Sequence, residues 1–232
     1  MLNPDDPSFR DFKTSIRAIF FDLDGTLIDT DDAALEALAG RLERWRWVFP
    51  GDDPRPLLRR AILAAEGPVN TLISLLDMVG LDDNLLSASD RLRRVRGSRA
   101  EGRFSAVPGV LEMIRALYRS YRLGIVTTRS RADALAFVRQ FGLEALFELA
   151  ATREDTERLK PHPEPIWHAA SALGLAPQQC VMVGDTVVDI VSAKSAGCFA
   201  VGVLCGFGER DELLEAGADL VLETASQLHA WF

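Results

Sequence analysis

An α/β fold with a doubly wound parallel sheet, interrupted by an all-helical insert, is predicted by three observations. Short apolar runs rich in β-formers alternate with helical patterns from Pro108 to the C-terminus, the signature of crossover units that build a parallel sheet covered on both faces. Several of those runs stop abruptly on Asp or Thr. Charge divides the chain: residues 31–103 hold twelve acids and twelve arginines, so the whole net charge of −8 falls on the remainder, and such a composition break marks a domain boundary.

The elements follow in order. Residues 1–13 carry Asp5, Asp6, Asp11 and two prolines and read as a tail, without the basic and apolar regions of a targeting signal. A strand is expected over 17–21, ending at Asp22-Leu23-Asp24-Gly25-Thr26. From Asp31 the period changes to helical, with Leu35, Leu38, Leu42 and Trp45 on one face and Asp31 and Asp32 favouring the start. Pro50-Gly51 ends that helix. Further helices are expected over 57–65, 69–79 and 85–95. The reading is therefore a core over 14–30 and 104–232, with a helical domain over 31–103. Beyond Gly109 helices are expected over 110–118, 131–141, 165–173, 188–196, 211–216 and 225–231. Strands are expected over 123–126, 147–151, 180–183, 199–204 and 219–222. Gly142, Gly174 and Gly197 stop three of these helices.

Composition excludes several functions. With 48% hydrophobic residues and 26% charged ones the chain is globular rather than disordered. An acidic balance opposes nucleic-acid and anionic-membrane binding, and no apolar run reaches the ~18 residues of a membrane helix. Cys180, Cys198 and Cys205 are an odd number without metal-site spacing, so a reducing cytoplasm is expected.

In open parallel sheets, ligands bind beyond the carboxyl ends of the strands. Four segments fall there: Asp22 and Asp24; Thr127-Thr128-Arg129; Lys160 on a loop; and Asp185 with Asp189. Converging carboxylates need a cation, and their hard oxygens suit Mg²⁺. A lysine and a hydroxyl at the same edge suit an anion. Together they have what phosphoryl transfer requires, since that barrier falls mainly through positioning and charge neutralisation.

These segments, in this order, resemble the four motifs of the haloacid dehalogenase superfamily. The likeness runs from Arg17 to Leu222, and within the superfamily the chain is similar to the phosphoglycolate phosphatase-like branch, whose Rossmann-like core is interrupted by a helical cap of the C1 type. The resemblance implies that Asp22 is a nucleophile that forms an aspartyl-phosphate and binds Mg²⁺. It makes Asp24 the general acid and base, with its backbone carbonyl on the metal, and gives Gly25 a close backbone approach to phosphate. Thr127 and Thr128 would hold the phosphoryl group, Lys160 would neutralise charge, and Asp185 and Asp189 would complete the metal site. The superfamily's dehalogenases lack the second aspartate, so Asp24 favours phosphate chemistry. One departure stands out: many relatives carry Asn-Lys where this chain has Thr128-Arg129.

The expected protein is a cytoplasmic, Mg²⁺-dependent phosphatase for a small phosphorylated metabolite, phosphoglycolate by default, and a monomer or homodimer. A β-phosphoglucomutase-like phosphomutase shares every core motif; a silent binding module would have lost one of Asp22, Asp24, Lys160 or Asp185. His162 reads as a surface or supporting residue, His168 and His229 as structural, and the cysteines, Trp45 and Trp47 as core. Arg91, Arg93, Arg94, Arg96, Arg99 and Arg103 read as a solvated helix face, one or two of them available to a substrate anion.

Overall fold

The computed structural model describes Pro4, residues 6–29, Arg46 and residues 104–232. The chain divides into two compact units, Met1–Asp29 with Ala106–Phe232, and Thr30–Ser105. The helices expected over 31–103, with Trp45, Trp47 and the arginines from Arg91 to Arg103, lie outside the described residues.

In the first unit, six parallel strands form one sheet: β1 (Ala18–Phe21), β2 (Arg122–Val126), β3 (Phe147–Ala151), β4 (Cys180–Gly184), β5 (Phe199–Val203) and β6 (Leu220–Leu222). Their order is β3-β2-β1-β4-β5-β6, and every neighbouring pair is parallel. The chain thus builds outward from β1 on one side, then crosses over to lay β4 on its other side. That reversal is the topological switch point of a doubly wound Rossmann-like sheet.

Helices cover the faces because parallel strands are apolar on both sides. They are α1 (Pro7–Ser15), α2 (Val110–Leu117), α3 (Arg131–Gln140), α4 (Glu164–Ala172), α5 (Val187–Ala196) and α6 (Arg210–Glu215). Helix α2 buries Val110, Met113, Ile114 and Leu117, the i, i+3, i+4, i+7 stripe of a helix laid on a core. Ser130 starts α3 by accepting the Asp133 N–H. At the centre β1 and β4 are buried along their whole length. Gly124 in β2 lets Phe20 of β1 lie against the backbone, since a Cβ there would meet Phe20 at 2.8 Å. None of the described helices is long and apolar enough to cross a membrane.

Two elements differ from expectation. Residues 7–13, read as part of a tail, belong to α1, which continues to Ser15. Pro7 is compatible with the first helical turn, where its missing N–H has no partner to lose, and Phe9 and Ile16 are each 2% exposed. Phe9 lies 5.4 Å from Trp231, 5.8 Å from Phe232 and 6.2 Å from Phe199 between ring centroids, so an aromatic cluster pins the N-terminal helix to the C-terminus. The last segment, Ala225–Ala230, is a 3₁₀ turn rather than an α-helix. Thr224 caps it by accepting the Ser226 N–H, and bonds from the Gln227 N–H to the Thr224 carbonyl at 3.1 Å and from the Trp231 N–H to the Leu228 carbonyl at 2.9 Å span the three residues of the tighter turn.

Truncation of Phe9 to Ala should cost about 3 kcal/mol of unfolding free energy in urea titrations. A loss below about 0.5 kcal/mol, the size of an ordinary surface change, would show that α1 does not belong to the core.

Candidate active site

The switch point brings Asp22 and Asp185 to adjacent strand ends. The Asp22 N–H donates to the Val183 carbonyl at 2.9 Å, so β1 and β4 remain paired up to the residue where each turns polar. Asp22, Asp185 and Asp189 are 7%, 1% and 1% exposed, and one carboxylate oxygen from each lies within 4.8 Å of the other two.

Lys160 makes this crowding tolerable. Its Nζ donates to Asp22 Oδ1 at 2.7 Å, to Asp189 Oδ1 at 2.5 Å and to the Val126 carbonyl at 3.1 Å, which uses all three protons of the ammonium. Burial opposes the charge on Lys160, but Asp189 and Asp22 outweigh it and hold the ammonium above its ordinary range. Burial pushes the Asp22 carboxyl up to about 7 against the pull of Lys160, with Asp189 and Asp24 adding to the rise. Burial also raises Asp185, helped by Asp189 and Asp22 and resisted by a backbone N–H from Phe207. With all three acids ionised against one ammonium, the site, largely closed to water, would carry an excess of negative charge that burial and mutual repulsion resist. Such a hard, oxygen-only donor set with two surplus charges fits a divalent cation of the Mg²⁺ kind.

Each acid is fixed by its own local device. Asp189 is the third residue of the α5 capping box: its Oδ2 accepts the Thr186 N–H at 3.2 Å and the Thr186 hydroxyl at 2.6 Å. Both Asp189 oxygens are thereby engaged, one on Lys160 and one on the helix start. Asp185 accepts the Phe207 N–H at 3.0 Å on Oδ2 and the Thr26 hydroxyl at 3.3 Å on Oδ1. The backbone crowds Asp185 so closely that a Cβ on Gly25 or Gly206 would stand 2.2 or 2.1 Å from Oδ2. Gly25 is also left-handed at φ 68°, a conformation that disfavours any side chain.

Thr127 is buried at the end of β2, its N–H paired with the Ala151 carbonyl at 2.9 Å and its hydroxyl oxygen accepting the Arg129 N–H at 3.1 Å. Thr128 beside it is partly exposed. The structure therefore brings Asp22, Asp185, Asp189 and Lys160 into one buried cluster with Thr127 at the next strand end. Asp24 stands outside it, a third exposed, with both oxygens held by Arg129. His162 bonds to Arg158, to the Glu164 N–H and, through its carbonyl, to the Ser192 hydroxyl, a supporting position.

Sequence reasoning missed Arg129 as a partner of Asp24, Thr26 and Phe207 as partners of Asp185, and Gly206 as the gap into which Asp185 fits. Thr26 lay in the recognised motif. The glycines on either side of Phe207, after β5, were the available signal for a close backbone approach.

Comparison with known proteins agrees with this geometry. The family described as haloacid dehalogenase-like hydrolase matches residues 19–203. The pyrophosphatase PpaX of Bacillus pumilus is 34% identical over 222 residues, covering 94% of this chain and 97% of that protein. The phosphoglycolate phosphatase of Salmonella typhi is 30% identical over 233 residues, covering 92% and 91%. Among solved structures, a haloacid dehalogenase-like family hydrolase from Streptococcus pneumoniae superposes with a TM-score of 0.67 at 26% identity, covering 94% of this chain and 99% of that one. With its Rossmann-like sheet and the buried acids at the switch point, the chain belongs to the haloacid dehalogenase-like hydrolase family.

Proposed function

We propose that the protein is a Mg²⁺-dependent phosphatase that hydrolyses a small phosphate monoester through an aspartyl-phosphate on Asp22. The observation that carries this reading is the buried cluster of Asp22, Lys160, Asp185 and Asp189 at the β1 and β4 ends. Relatives named as phosphatases support it, and phosphoglycolate is the default substrate because one of them is named for it.

In this reading Asp22 and Asp185 hold the metal, with the Asp24 carbonyl as a further oxygen ligand and Asp189 acting directly or through water. Bound Mg²⁺ supplies neutralisation of the acids and of the phosphate oxygens. Thr127, through its hydroxyl, and Thr128, through its N–H, orient the phosphoryl group, while Gly25 allows the backbone close to it. An Asp22 oxygen attacks phosphorus, the bond from phosphorus to the leaving oxygen breaks with its electron pair on that oxygen, and Asp24 supplies a proton. Water then attacks phosphorus and gives its proton to Asp24; inorganic phosphate departs and the Asp22 carboxylate is regenerated. Splitting hydrolysis this way replaces one hard step by two easier ones, and Lys160 keeps Asp22 oriented throughout.

The division of the chain after Asp29 and before Ala106 supports reading residues 31–103 as an inserted domain that selects the leaving group. The free thiols of Cys180, Cys198 and Cys205 support a cytoplasmic setting.

Asp22→Asn should lower phosphate release from 2-phosphoglycolate by more than about 10³-fold, measured as inorganic phosphate. A variant that retains the wild-type rate would defeat the mechanism, and an isomerised ester in place of inorganic phosphate would identify a mutase. Asp185→Asn should raise the melting temperature in EDTA by about 2–4 °C at alkaline pH and by less at acid pH, because burial and the neighbouring Asp189 and Asp22 disfavour the charged carboxyl, so that its ionisation costs stability as the pH rises. The same variant should lose the stabilisation that Mg²⁺ gives the wild type. A lower melting temperature in EDTA would mean that the bonds from Phe207 and Thr26 outweigh the repulsion.

A further inference from the structure

Arg129 grips Asp24 with both prongs of its fork. Nε donates to Oδ2 at 2.7 Å and Nη2 to Oδ1 at 2.6 Å, the side-on bidentate geometry that fixes a carboxylate in its plane as well as in place. Neither backbone drifts. The Arg129 N–H is tied to the Thr127 hydroxyl; Asp24 makes a bridge to Ile28 and precedes left-handed Gly25, whose own N–H bonds to the Ile28 carbonyl at 2.9 Å. The two side chains are 15% and 33% exposed, so the guanidinium braces the carboxylate from the protein side. An ionised carboxylate offers about four acceptor positions, and the fork takes two. Asp24 is thus the one acid of its segment that faces water while being held, two residues from buried Asp22.

We infer that Arg129 is a positioning residue for the reaction, setting the plane in which the Asp24 carboxylate meets the leaving-group oxygen and, later, the attacking water. The inference rests on the phosphatase reading. Charge alone does not do this: a lysine presents a point charge on a flexible stem and fixes one oxygen at most. Loose placement of an acid–base group matters most where the leaving oxygen needs a proton and least where it departs as a stable anion.

The test compares 2-phosphoglycolate, an alkyl ester whose leaving oxygen requires protonation, with p-nitrophenyl phosphate, whose leaving group does not. Arg129→Gln and Arg129→Lys should each lower kcat on the alkyl ester by about 10- to 100-fold, with a loss on the aryl ester at least about tenfold smaller. Turnover of the aryl ester also shows that the variants are folded. Equal losses on both esters, a change confined to KM, faster turnover, or full rescue by lysine would each overturn the inference while leaving the phosphatase reading intact. A wild-type enzyme silent on both esters would defeat the phosphatase reading and this inference with it.

Discussion

The ammonium of Lys160, shared between Asp22 and Asp189 where β1 meets β4, is the contact on which the rest of the site depends. Three carboxylates this close and this buried repel one another, and breaking a buried pair by removing one partner typically costs about 3–5 kcal/mol. The fold supplies the lysine from a loop whose Val126 anchor lies at the end of β2, on the far side of β1 from β4. Two strand ends, of β1 and β2, and the first turn of α5 therefore meet at one nitrogen. The capping box at Thr186, the Phe207 N–H and the glycines at 25 and 206 are local answers to the same crowding, each satisfying an oxygen or removing a Cβ that would displace it.

This arrangement separates two electrostatic roles within three residues. Asp22 points into the dry cluster, where burial raises its carboxyl and a lysine opposes the rise. Asp24 points toward water and is held by an arginine. Two acids on one turn thus receive different environments, which suits the proposed chemistry, in which one bonds to phosphorus and the other exchanges protons. The sheet order enforces the separation, because the switch point places β4 beside β1 and lets Asp185 approach Asp22 from the side opposite Thr127.

Much of this was legible in the sequence because it is written in local pattern. The apolar run before Asp22, the stops at Thr127 and Gly184, and the glycines closing three helices each follow from backbone rules that act over a few residues. What escaped was long-range or context-dependent. Nothing near Arg129 reveals a carboxylate 105 positions earlier in the chain, and the N–H of Phe207 carries no side-chain signature at all. Helix α1 was obscured because Pro7 and the surrounding acids resemble a tail; only the aromatic cluster around Phe9, assembled from both ends of the chain, makes that segment fold. The 3₁₀ turn at Ala225–Ala230 shares its periodic apolar residues with an α-helix, and only the local hydrogen bonds distinguish them.

In the proposed reaction the phosphoryl group passes through Asp22. The most direct measurement is peptide mass spectrometry of enzyme acid-quenched during turnover of 2-phosphoglycolate with Mg²⁺. The expected result is a phosphoryl adduct on Asp22 that disappears as substrate is exhausted. Turnover with the adduct on another residue, or with none at any quench time while product accumulates at the wild-type rate from Asp22→Asn, would contradict it.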